Sequence, residues 1–199
     1  MNAFRKIGLV SSLGALLAGG LAFRTLPAVV PVHFSWNGLP DRYGSRWEGA
    51  FLVPLVLAVA SAIVFLRKGS SRALDAAFGL TALTVFFVHL LHLRTMQTGN
   101  AFPRDAVMLV LGLSWLGLAL ILPRVKRNRW VGVRVPWTLA SDEVWARTHR
   151  FASWTFAVGG ILALLTPLVG PGVGLAGILG SGLAPAIYSF FIRERPVRA

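Results

Sequence analysis

Six apolar runs order this chain: roughly Ile7–Phe23, Ala50–Leu66, Ala76–Leu93, Ala106–Leu122, Phe151–Leu168 and Val173–Ile192. A bilayer-spanning helix takes about 17–25 residues, so each run predicts a transmembrane helix. None of the six contains Asp, Glu, Lys or Arg. An ionisable residue at mid-bilayer is costly and usually marks a transport path, so this pattern speaks against a proton pump or charge-relay transporter. The polar breaks carry start and stop signals. Ser70-Ser71 can cap the third helix, with Asp75 in its first turn, where the helix dipole favours a carboxylate. Ser141 is a good N-cap, followed by Asp142 and Glu143, and that helix should run on into the fifth span. Trp145 and His149 then share one helix face. Thr166-Pro167 and Gly170-Pro171-Gly172 predict a tight turn, and the small residues of the last span allow close helix packing.

Composition agrees with the pattern. Of 199 residues, 55% are hydrophobic and 14% charged, against about a quarter charged in a soluble domain. The net charge of +13 would suggest nucleic acid in a soluble protein. Here its distribution gives a different reading. With a cytoplasmic N-terminus, fifteen of the 20 Lys and Arg residues fall on the inner side. The positive-inside rule therefore predicts cytoplasmic N- and C-termini in a multi-pass membrane protein. The first apolar run follows Arg5-Lys6 like a signal peptide, but Arg24-Thr25-Leu26-Pro27 is a poor cleavage site, so a retained span is expected. With no cysteine, disulfides and thiolate metal sites are excluded.

Two polar segments are too long and too aromatic for plain connections. On the outer side, residues 24–49 hold an alternating Val32-His33-Phe34-Ser35-Trp36 run and then Asn37-Gly38, the favoured two-residue hairpin turn. Pro40 limits any return strand to a sheet edge. A small hairpin, or an extended arm laid on the helices, is expected. On the inner side, residues 128–150 hold Trp130, Trp137 and Trp145 among four arginines, a mixture suited to the membrane interface. Span, long loop, span, short turn, span occurs twice. The expected fold is therefore an all-α integral membrane protein of six transmembrane helices, with the shape of a 3+3 inverted-topology repeat. Its halves would be 1–93, with outer loop 24–49, and 94–199, with cytoplasmic motif 128–150.

Chemistry-bearing residues are few. His89 and His92 sit one turn apart near the outer end of the third span, on the same side as His33. With Asp41 or Glu48 they could form a nitrogen–oxygen metal site, but HxxH without a helical acid is unspecific, and the expected reading is two weakly polar rings facing the bundle or the interface, with no metal bound. His149 lies about two turns from Asp142 and Glu143, too far for an acid–base pair. No nucleophile elbow or phosphate loop exists. Arg124, Lys126, Arg127, Arg129 and Arg134 form a basic inner surface, explained by topology and anionic lipid or by an acidic protein partner. Arg134, between two valines and before Pro136-Trp137, is expected in a buried or interfacial contact with Trp137, Trp145, Asn128, Asp142 or Glu143; Arg127 is expected to be an idle topological charge.

Asn128, Gly132, Arg134, Pro136-Trp137-Thr138-Leu139, Trp145 and His149-Arg150 resemble the signature of the SdpI family of bacterial membrane immunity proteins. Pro31-Val32-His33-Phe34, Trp36-Asn37-Gly38, Asp41 and Ser45 resemble the short domain of unknown function that often precedes it. One departure is visible: Val135 stands where threonine is expected. The resemblance implies protection against a membrane-directed peptide toxin, with no enzymatic activity and no cofactor. It places ligand contact on His33, Trp36, Asn37, Gly38 and Asp41 outside. Inside, Asn128, Gly132, Arg134, Pro136, Trp137, Thr138, Trp145, His149 and Arg150 would transmit the signal or dock a cytoplasmic repressor. Membrane lipid is the other expected partner, and no direct nucleic-acid contact is expected. Two other readings stand beside this one: a small transporter or lipid-handling protein, and an intramembrane metal enzyme using His33, His89 and His92.

Overall fold

The computed structural model describes residues 2–35, 37–67 and 71–193. Ser70, one of the two expected caps, and Trp36, one of the expected outer-site residues, lie outside the described residues. The chain is mostly helical and divides by internal contacts into two units, Met1–Val110 and Leu111–Ala199. Among the described residues, five helices are long and apolar enough to cross a membrane.

In the first unit, α1 (Ala3–Phe23) packs on α2 (Arg46–Leu66) and α3 (Arg72–Thr98). Glycine sets the approach of α1 and α2. Pro54 has no N–H for the Ala50 carbonyl, and a Cβ at Gly19 would overlap that same carbonyl oxygen. The two backbones therefore meet where α2 has an unfilled acceptor. Ser71 caps α3 as expected, its hydroxyl accepting the Leu74 N–H at 3.2 Å. Asp75 is more than a dipole partner. It is buried and accepts from Arg5 Nε at 3.0 Å and Asn2 Nδ2 at 2.6 Å, tying the start of α1 to the start of α3.

Between α1 and α2 the chain forms an antiparallel hairpin, β1 (Val29–Phe34) and β2 (Pro40–Ser45). It lies on the helices, as expected of this segment. Val30 is fully buried and packs with Ala22, Leu26, Ala50, Leu93 and Met96. The connection differs from the expected two-residue turn. Phe34 pairs with Pro40, and Ser35 closes a longer loop by donating to the Leu39 carbonyl at 2.8 Å. The Leu39 N–H that a two-residue turn would use goes instead to Asn37 Oδ1, and the Gly38 N–H bonds the Ser35 carbonyl, so the loop lengthens.

α4 (Arg104–Ile121) ends in a 3-10 turn, Leu122–Arg124. In the second unit, the short α5 (Pro136–Ala140) leads to α6 (Asp142–Leu164), then α7 (Thr166–Val169) and α8 (Pro171–Phe191). α6 and α8 pack through small residues: a Cβ on Gly159 would stand 2.5 Å from the Gly177 carbonyl oxygen. Trp115 Nε1 donates to Ser181 Oγ at 2.8 Å, and Thr155 Oγ1 to the Ser181 carbonyl at 3.0 Å. Five of the six expected spans coincide with α1, α2, α3, α4 and α8. The fifth in sequence, Phe151–Leu168, does not stand apart as an apolar helix. It is the C-terminal part of α6, whose first turns carry Asp142, Glu143, Arg147 and Arg150, and it continues past the break at Leu165 into α7.

Candidate functional site

The residues between Lys126 and Arg150 form one interlocked cluster. It starts at Asn128, whose side chain closes a turn on itself. Oδ1 accepts the N–H groups of Trp130 at 2.7 Å and Val131 at 2.9 Å. Nδ2 donates to the carbonyls of Lys126 at 2.9 Å and Val131 at 3.2 Å. Asparagine suits this work because one short side chain offers both donors and acceptors to nearby backbone.

The turn delivers Gly132 to the face of α6. Gly132 has φ +118°, and a Cβ there would overlap Nε2 of His149. Only glycine satisfies both demands. The next residue, Val133, donates its N–H to His149 Nε2 at 3.1 Å. His149 Nδ1 lies 2.8 Å from the Trp145 carbonyl. A carbonyl only accepts and a backbone N–H only donates, so the ring is neutral with its proton on Nδ1. Burial lowers the His149 pKa from its ordinary value, and the bond to the Trp145 carbonyl opposes that shift. The ring stacks on Trp145 with centroids 4.1 Å apart. Trp145, itself buried, donates Nε1–H to the Val125 carbonyl at 2.7 Å, so the aromatic pair also fixes the end of the 3-10 turn.

Thr138 and Trp137 complete the cluster. Val135 is the N-cap of α5 and Pro136 its first residue. The fully buried Thr138 hydroxyl accepts the Val135 N–H at 3.1 Å and lies within bonding distance of the Val133 and Val135 carbonyls. This is half of a capping box. Val135 has no oxygen with which to return the bond, so the departure from the family signature falls on the N-cap itself. Trp137 Nε1 donates to Ser189 Oγ at 2.9 Å, and Arg193 stands over the Phe190 ring at 3.7 Å and the Trp137 ring at 5.4 Å. The motif is thereby fastened to the end of α8.

The two arginines singled out from sequence exchange places. Arg134 is exposed, and its guanidinium donates to the Arg129 carbonyl at 2.9 Å rather than to any expected partner. Arg127 is the engaged one: Nε meets Asp142 at 2.7 Å and Nη1 donates to the Leu139 carbonyl at 2.7 Å. Arg150 is exposed on α6. Val125, Val133 and Ser189 act through backbone groups or a hydroxyl. Sequence reading missed them because nothing in the identity of a valine announces the bond its backbone makes.

On the hairpin, Asn37 repeats the role of Asn128. Its Oδ1 accepts from Ser35 Oγ at 2.5 Å and from the Leu39 N–H at 2.9 Å. Gly38 follows at φ +80°, and its carbonyl accepts the Phe102 N–H at 3.0 Å. Phe102 stacks on Phe34 with centroids 4.7 Å apart. His33 and Asp41 pair at 2.5 Å on the exposed strand surface. Asn37 also borders a polar cleft of about 300 Å³ with residues 101–106.

The expected alternative of a metal site on His33, His89 and His92 is not assembled. His33 is engaged with Asp41, and His92 Nε2 donates to the Pro31 carbonyl at 3.1 Å. His92 also meets Phe34 and Phe102 edge-on. His89 is buried with neither ring nitrogen bonded among the described residues. Among those residues no group of three or more His, Cys, Asp or Glu could hold a metal ion.

Comparisons with known proteins fall on the same two segments. Residues 124–191 match the model of the SdpI/YfhL protein family, and residues 11–58 match a domain of unknown function, DUF1648. The Immunity protein SdpI of Bacillus subtilis (strain 168) is 26% identical over 164 residues, 78% of each chain. An uncharacterized protein of Archaeoglobus fulgidus is 44% identical over 65 residues, 33% of this chain and 35% of that one. No solved structure matches. The SdpI resemblance read from the sequence thus holds, in a multi-pass membrane protein.

Proposed function

We propose that this SdpI-like chain is a membrane immunity protein that protects a bacterial cell against a membrane-directed peptide toxin. The observation that carries the reading is the closed cluster of Gly132, Val133, Trp145 and His149. Gly132, Trp145 and His149, signature residues spread over 18 positions, meet in one lock that the Val133 N–H closes. In the same reading the chain crosses the cytoplasmic membrane six times, α6 with α7 supplying the extra crossing, as two inverted halves. Both termini face the cytoplasm. The hairpin, with Asn37, Gly38 and the His33–Asp41 pair, then faces outward and meets the toxin. The lock faces inward, where its state is passed on to a repressor.

Geometry favours this over the alternatives. Both ring nitrogens of His149 are committed to backbone, which leaves none for acid–base work. The outer histidines do not converge as a metal enzyme would need. The test is survival of a toxin-sensitive bacterium expressing the chain, challenged with a panel of membrane-directed peptide toxins. Protection against at least one, relative to empty vector, supports the proposal. No protection at verified membrane insertion refutes it.

A further inference from the structure

The basic turn that leads into the lock has a surface of its own. α4 is apolar to Ile121, and the chain leaves it through Leu122–Arg124 and the buried Val125. The Asn128 side chain then satisfies four backbone groups of the next few residues, which makes the turn rigid without outside help. Its own side chains are turned outward. Lys126 and Arg129 are exposed, and Trp130 is 59% exposed. Arg134 is held over the turn by its bond to the Arg129 carbonyl. The nearby carboxylates are engaged elsewhere, Asp142 with Arg127 and Glu143 with Arg147. Among the described residues no acid pairs with Lys126, Arg129 or Arg134.

We infer that the Lys126–Arg134 turn is a docking site for the phosphate headgroups of anionic phospholipids. Lys126, Arg129 and Arg134 supply the charge, and Trp130 lies in the interface beside them. The indole decides between lipid and an acidic protein. It is 59% exposed six residues beyond the turn that ends α4, and tryptophan is enriched at the membrane–water interface, where the phosphates are. A rigid turn also holds its cations together before the lipid arrives, so little ordering entropy opposes binding. Each basic residue at a membrane surface is worth about a fivefold change in affinity for anionic lipid.

The test uses the full chain with a photo-crosslinking benzoylphenylalanine in place of Trp130, in phosphatidylcholine vesicles with and without phosphatidylglycerol. The expected result is crosslinked phosphatidylglycerol well above its share of the membrane. Lys126→Gln and Arg129→Gln should each reduce that enrichment about fivefold, and Arg147→Gln should leave it unchanged. Persistent crosslinking to phosphatidylcholine shows that each variant is inserted. Crosslinking in proportion to lipid abundance would overturn the inference. So would loss of enrichment on adding inorganic phosphate, or crosslinking in native membranes to an acidic protein instead of lipid. None of these outcomes depends on whether the chain confers immunity.

Discussion

Val133 donates its backbone N–H to Nε2 of His149 across 3.1 Å, and that one bond fixes the charge state on which the motif depends. A protonated imidazole has no acceptor at Nε2. Protonation would set two N–H groups against each other in a site where His149 is 1% exposed.

Stability should therefore fall in acid. Burial depresses the folded-state pKa of His149, so below the ordinary histidine value of about 6.5 the unfolded chain takes up a proton that the folded one refuses. The contribution is present in full above that value and is lost as pH falls towards the depressed one. Thermal unfolding of the purified protein between pH 8 and 5 measures it. The part of the slope due to His149 is the part that disappears in His149→Gln; equal slopes in the two proteins would contradict the assignment.

Gly132→Ala should be among the most damaging small substitutions in the chain. The positive φ alone costs about 1–3 kcal/mol for a residue with a Cβ, and overlap with His149 adds to it. Gly172→Ala is the control, since nothing lies within 4 Å of that position. Unfolding of the two variants side by side should show a large loss for the first and almost none for the second.

Val135→Thr should stabilise the motif. Valine occupies an N-cap, where a hydroxyl can accept an orphan N–H of the first helical turn. Thr138 already returns the reciprocal bond. The gain expected from completing the box is about 1 kcal/mol, read as a rise in the unfolding midpoint. A fall would mean that the half-buried valine packs better than the cap bonds.

The pair Arg5–Asp75 should behave as a buried one, with side chains 17% and 2% exposed. Arg5→Ala takes the guanidinium away from a buried carboxylate and should cost up to about 3–5 kcal/mol. Arg5→Ala with Asp75→Ala should cost less than Arg5→Ala alone, because the stranded charge is gone. A double variant as unstable as the sum of both singles would contradict this.

The sequence shows the helices well and the contacts between them poorly. Five spans are plain as uninterrupted apolar runs, and Ser71, Ser141 and the Trp145–His149 face follow from local rules. The run of α6 from its Ser141 cap into the fifth apolar stretch also follows from local rules, whereas the break at Leu165, which splits that stretch between α6 and α7, does not. The Asp75 contact with Arg5 and Asn2 joins residues some seventy positions apart, so only the helix-dipole role was visible locally. Arg127 and Arg134 look alike as sequence. Which of them is engaged depends on where α6 places Asp142, and that is set by packing. The hairpin strands are legible from alternation, whereas the loop length rests on the Asn37 side chain taking the Leu39 N–H.

The central claim is that the lock serves immunity, and the most direct measurement is the toxin concentration that halves survival of a sensitive host. It would be taken for empty vector, the natural chain, Gly132→Ala and Gly172→Ala at matched membrane abundance. The account predicts a raised threshold for the natural chain and Gly172→Ala, and a return to the vector value for Gly132→Ala. Full protection by a Gly132→Ala protein whose lock is shown to be broken would contradict it.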